Sequence, residues 1–159
     1  MFSFLLLLDT SGSMQSASGE KIQCLNLTTS NFIAGLKSIA PEIHLAIITI
    51  GGFPALTNFA PVKEITPATY QAKGSTPLTE AVILAKNIVN KTVITVLISD
   101  GAPNDGQFTK MTLGGPIYAI QVGFDANYEE LARFTGCPNR VFRSYDSEAA
   151  AGYILQREH

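Results

Sequence analysis

Residues 2–14 read FSFLLLLDTSGSM, and this stretch decides the fold. Phe2 to Leu8 is an apolar run of strand length. Apolar side chains at successive positions mark a strand covered on both faces, as the inner strands of parallel sheets are. At Asp9 the composition changes abruptly to Ser and Gly, so the strand ends there in a loop that runs to Gly19. The stretch does not read as an export signal. No basic residues precede its apolar part, which is very short, and cleavage after it would cut at or beside Asp9.

Outward from this strand, apolar residues recur at Ile22, Leu25, Phe32, Ile33, Leu36 and Ile39, one face of a helix that Pro41 ends. Residues 43–50 (IHLAIITI) form the second strand, closed by Gly51 and Gly52. Residues 58–65 form a weaker third strand. Pro61 within it points to a sheet edge, and the short connection before it predicts antiparallel pairing with the second strand. The clearest helix lies in GSTPLTEAVILAKNIVNK (74–91), where Leu78, Ala81, Val82, Ala85, Ile88 and Val89 share one face. Residues 92–99 (TVITVLIS) are the fourth strand, rich in β-branched side chains. A connection over 100–115, with a short helix near 107–111, leads to the fifth strand at 116–122 (PIYAIQV). Residues 128–134 form a short helix stopped by Gly136, and 140–143 a short sixth strand. Asp146 or Ser147 then caps a final helix ending near Gln156. Strands alternating with helices predict an open, mostly parallel α/β sheet with helices on both faces.

The chain has 159 residues, suited to one domain over 1–159, and contains no internal repeat, linker or low-complexity tract. A hydrophobic fraction of 46% against 15% charged residues indicates a packed globule. The net charge of -2 is too small to steer partners, and no Lys/Arg cluster points to nucleic acid or an anionic membrane surface. No apolar run is long enough to span a membrane. Cys24 and Cys137 form no metal-type pair; they read as two free thiols in a reducing compartment, with a single disulfide as the alternative. The cytoplasm is therefore the expected location.

Sheets of this kind bind ligands at the carboxyl ends of their strands, where the winding direction reverses. Two strands here run into an aspartate and a Gly-containing loop: LLLLDTSGS (5–13) and VLISDGAPND (96–105). If these strands are neighbours, Asp9 and Asp100 approach each other, and two close carboxylates need positive charge between them. A divalent cation supplies it. Ser11 and Ser13 add hydroxyl oxygens at alternate positions of the same loop, with Gly12 allowing the bend. An all-oxygen set suits Mg²⁺, Mn²⁺ or Ca²⁺ over Zn²⁺, and with so few carboxylates Mg²⁺ is the first choice. Each piece has a plainer reading as well. DTSGS can be a polar turn opening a helix, and Asp100 can cap a turn. Asp105 and Asp125 read as solvated loop residues of the same sheet edge, His44 and His159 carry no role, and the Tyr and Phe positions read as core.

DTSGS (9–13) resembles the DxSxS motif of von Willebrand factor A (VWA) domains, the family of integrin I domains and many bacterial proteins. GSTPLTEAV (74–82) resembles the GGTPL-type segment of its intracellular bacterial members, and ISDGAPND (98–105) the family's (I/L)(S/T)DG segment. IYAIQVG (117–123) and LARFTG (131–136) are also similar to family sequences, so the likeness spans nearly the whole chain. It implies a three-layer Rossmann-like sheet of six strands in the order 3-2-1-4-5-6, with strand 3 antiparallel. It also implies a metal ion-dependent adhesion site. Ser11, Ser13 and Thr76 would contact the metal, directly or after a small rearrangement, and Asp9 and Asp100 directly or through water. One coordination position would stay open for a Glu or Asp carboxylate of a partner protein. Thr76 has a second explanation as the N-cap of the helix that Pro77 begins, although Thr79 leaves a reciprocal capping box incomplete. Intracellular bacterial and phage relatives, including the tellurium-resistance type, imply a multiprotein assembly, in some cases with an ATPase or stress-response proteins. The chain departs from the family pattern in a short segment between Asp100 and the fifth strand, in Ser75 where Gly is common, and in Cys137 where a second Gly often follows TG.

These features describe a binding module and not an enzyme, since neither Ser11 nor Ser13 has a neighbouring histidine to act as base. The alternative is a Mg²⁺-dependent phosphatase of the haloacid dehalogenase type, which also places an aspartate after an apolar first strand. That chemistry needs a second aspartate two residues on as general acid, and this chain has Ser11 there. A response-regulator receiver would need an acidic pair before the end of the first strand, which the sequence lacks.

Overall fold

The computed structural model describes residues 2–10, 14, 19–51, 58–72, 78–101, 113–123 and 128–158. The strands are β1 (Ser3–Asp9), β2 (His44–Ile50), β3 (Ala60–Pro61), β4 (Val93–Ser99), β5 (Ile117–Gln121) and β6 (Val141–Arg143). The helices are α1 (Glu20–Ile39), α2 (Leu78–Ile88), α3 (Tyr128–Thr135) and α4 (Ser147–Glu158). The strands form one sheet in the order β3-β2-β1-β4-β5-β6, parallel throughout except for the antiparallel β2–β3 pair.

The apolar run at the start of the chain is the centre of this sheet, paired with β2 on one side and β4 on the other. Its alternate side chains divide between two cores. Phe4, Leu6 and Leu8 pack with Leu25, Phe32, Ile33 and Leu36 of α1 and Ala150, Ala151 and Ile154 of α4. Leu5 and Leu7 pack with Ala81, Val82 and Ala85 of α2 and Leu131 and Phe134 of α3. Successive strand side chains point to opposite faces, so a run apolar at every position is what this double cover requires. All seven residues of β4 are likewise buried.

The helices end where local chemistry stops them. The backbone N–H of Ala40 donates to Leu36 O at 2.7 Å, and Pro41 then cannot extend α1. After α3, Gly136 takes the left-handed conformation (φ 80°) while its N–H donates to Ala132 O at 2.9 Å.

The third strand is much shorter than the predicted 58–65: only Ala60 and Pro61 pair, opposite Leu45 and His44. The reason is local. Pro61 has no N–H to give to the ladder. The chain then enters a 3₁₀ turn (Val62–Glu64), with Val62 N–H donating to Ile43 O at 2.8 Å and Lys63 N–H to Pro41 O at 3.1 Å. Val62 is fully buried beneath this turn. The aromatic positions divide as well. Tyr118 is buried, but Tyr128, Tyr145 and Tyr153 are exposed, contrary to their reading as core. Their polar tips tolerate water, and all three stand in short or terminal elements; the Tyr128 hydroxyl caps Pro138 O at 2.8 Å. The helix expected near 107–111 lies outside the described residues. Cys24 and Cys137 are free thiols. Among the described residues no helix is long and apolar enough to cross a membrane.

Candidate metal centre

The winding of the sheet reverses at β1: α1 leads to β2 on one side, and β4 closes on the other. Asp9 is the last residue of β1, and Asp100 follows the last residue of β4. The register, with Leu8 opposite Ile98, makes Asp9 and Ser99 the next rung. Both expected carboxylates are thus brought to one sheet edge, and each is only 1% exposed.

A hydroxyl links the two strand ends. Ser99 Oγ donates to Asp9 Oδ2 at 2.7 Å and accepts from Gly101 N–H at 3.0 Å. Gly101 has φ 79°, a conformation that suits glycine and lets the chain turn back onto the Ser99 hydroxyl. Thr10 extends the β1–β2 pairing beyond the strand, since its N–H and Oγ1 both donate to Ile50 O, at 2.7 and 3.1 Å. Met14 is fully buried in the core on the α1 side. Thr10 and Met14, the described residues on either side of 11–13 in sequence, are both buried.

Strand parity sorts the side chains around this edge. Leu5, Leu7, Leu97 and Ala119 belong to the core beneath α2 and α3, so Asp9, Ser99 and Gln121 fall on that same face. Gln121 pairs with Ser99 in register, and its buried Oε1 has no hydrogen-bond partner among the described residues. Asp100 comes one residue later and meets α1 instead. Lys21 Nζ, in the first turn of α1, donates to Asp100 Oδ2 at 3.1 Å.

Of the five metal ligands expected from the sequence, Asp9 and Asp100 stand at the carboxyl ends of the adjacent strands β1 and β4. Ser11, Ser13 and Thr76 lie outside the described residues, as do Asp105, Asp125 and His159. His44 is exposed at the start of β2. Among the described residues no group of three His, Cys, Asp or Glu side chains gathers into a metal cage. The donor chemistry nonetheless fits a hard dication. Two buried carboxylates are hard oxygen donors of the kind such an ion takes, and a cation stands against one of them. Sequence reading missed three residues here: Ser99, Gln121 and Lys21. Ser99 had a signal, being a hydroxyl at the end of a strand otherwise apolar or β-branched, where a buried polar group needs a partner. Lys21 had none, because a lysine near a helix start reads as solvated.

No family model matches the chain, and no curated protein matches it in sequence. Solved structures do. The VWA2 paralog of ArnB from Sulfolobus acidocaldarius is 15% identical over 93% of this chain and 43% of its own, with a TM-score of 0.68. The conserved hypothetical protein BatB from Bacteroides thetaiotaomicron is 14% identical over 98% of both chains, with a TM-score of 0.67. A von Willebrand factor type A protein from Catenulispora acidiphila is 13% identical over 99% of this chain and 42% of its own, with a TM-score of 0.65. The chain thus spans less than half the length of the first and third and nearly all of BatB. These likenesses establish the fold as that of VWA domains, in the expected strand order with the third strand antiparallel.

Proposed function

We propose that residues 1–159 are a single VWA domain acting as a metal-dependent protein-binding module. In this reading Asp9, Ser11, Ser13, Thr76 and Asp100 hold one divalent cation, Mg²⁺ in the first instance, with Mn²⁺ or Ca²⁺ as substitutes. The cation keeps one coordination position for a Glu or Asp carboxylate of a partner protein. The observation that carries the reading is the pair of buried carboxylates at the carboxyl ends of adjacent parallel strands, at the point where the winding reverses. Two further facts support it. Thr10 and Met14 anchor the segment that carries Ser11 and Ser13 on either side. α2, which begins two residues after Thr76, packs on the face to which Asp9 and Ser99 belong.

The chain's own residues would supply the oxygen donors to the ion. The metal would act as a Lewis acid toward the incoming carboxylate. No proton transfer or covalent step is involved, which is why a binding module and not an enzyme is proposed. The free thiols Cys24 and Cys137 support a reducing, cytoplasmic setting, and by family analogy the partner belongs to a multiprotein assembly that includes an ATPase.

Calorimetric titration of Mg²⁺ into the protein tests the reading. The wild type should bind one ion, and Asp100→Ala or Ser11→Ala should weaken binding by more than about 100-fold while the circular dichroism spectrum is kept. Unchanged affinity in either variant removes that residue from the site. Mg²⁺-dependent capture of the partner from the native host, lost in Asp9→Ala, then tests the binding role.

A further inference from the structure

The ion pair between Lys21 and Asp100 joins the first turn of α1 to the end of β4, across 79 residues of sequence. The Asp100 side chain is 1% exposed and that of Lys21 21%. A cation in the first turn of a helix works against the helix dipole, and ordering a lysine side chain costs conformational entropy. Helix propensity therefore does not account for Lys21 at this place. The carboxylate it meets does.

We infer that Lys21 is an internal counter-cation of the metal centre, which holds Asp100 in the metal-free protein and which an incoming divalent ion must displace. This rests on the proposed metal reading. A Mg²⁺ ion ligated by Asp100 would sit about 2.1 Å from its oxygen. The ammonium lies 3.1 Å from Oδ2, so ion and ammonium would be close like charges contending for one carboxylate. Lys21 thus has two effects. It keeps a buried carboxylate compensated when no metal is bound, and it sets the metal concentration at which the site fills.

Calorimetry with Mg²⁺ and Mn²⁺ on wild type, Lys21→Gln and Lys21→Arg tests this. Glutamine keeps a hydrogen-bond donor and removes the charge, so Lys21→Gln should bind either metal at least about tenfold more tightly, as expected when a close charge competitor is lost. Arginine holds a carboxylate with a fixed fork, so Lys21→Arg should bind metal more weakly than wild type. Thermal midpoints supply a second readout: Lys21→Gln should melt below wild type in EDTA, with the gap closing in saturating Mg²⁺. A merely structural ion pair would lower the midpoint equally in both conditions and leave the affinity unmoved. If wild type binds metal and Lys21→Gln binds no more tightly, the counter-cation role is overturned while the metal site stands. If no variant binds metal, both fall. Should Lys21→Gln fail to fold, unchanged affinity in Lys21→Arg overturns the inference on its own.

Discussion

At the scale of single residues, the site is organised by a side chain that ligates nothing in the proposed metal set. The Ser99 hydroxyl donates to Asp9 and accepts from the N–H of Gly101, so it fixes a carboxylate of β1 and the turn after β4 at once. A buried hydroxyl used in both directions is costly to remove. Ser99→Ala should lower stability by about 1–3 kcal/mol, read from urea denaturation of the metal-free protein. A loss within error of zero would mean that Asp9 and Gly101 do not depend on this hydroxyl. The positions of Asp9 and Asp100 at strand ends were legible because each stands where an apolar strand gives way to a Gly-containing stretch. Ser11, Ser13 and Thr76 rest on motif order, and Thr76 also on an N-cap position that capping alone could explain.

Among the elements, α1 does more than cover the sheet. Its first turn delivers Lys21 to Asp100, and its second holds a loop. The Asn26 side chain donates Nδ2–H to Tyr70 O at 2.9 Å and accepts Tyr70 N–H at 2.8 Å, imitating the two bonds of a neighbouring strand. Tyr70 stands six residues before Thr76. Loss of both bonds in Asn26→Ala should cost about 1–2 kcal/mol of stability. It should also raise the Mg²⁺ dissociation constant if the clamp helps to position the segment that carries Thr76; calorimetry with unchanged affinity would confine Asn26 to stability. Periodicity identified α1, α2, β1, β2 and β4, because burial of one face or of both leaves its period in the local sequence. It overestimated β3, where the competing demands were the missing N–H of Pro61 and the burial of Val62.

For the molecule as a whole, the sheet is a central layer, with α1 and α4 against one face and α2 and α3 against the other. α1 and α4 meet so closely that a Cβ at Gly35 would run into the backbone carbonyl of Glu148. Backbone cannot give way as a flexible side chain can, so Gly35→Ala should destabilise by about 1–3 kcal/mol, measured by thermal or urea unfolding. A neutral substitution would show that α4 slides freely on α1. The likeness to solved VWA structures at 13 to 15% identity fits this arrangement, since the layering depends on apolar pattern and strand order more than on particular side chains.

By itself the sequence determined the alternation of strands and helices, the double burial of the first strand, the edge position of the third and the two aspartates at strand ends. These are local properties: each is recorded in the spacing of apolar residues or in the residue that follows a strand. Tertiary structure alone decided what stands beside those aspartates. Ser99 reaches Asp9 across 90 residues and Lys21 reaches Asp100 across 79, and both contacts follow from β4 pairing directly with β1 while the first turn of α1 stands beside the end of β4. A contact of that range is fixed by register and packing, and neither is written in the residues on either side of it.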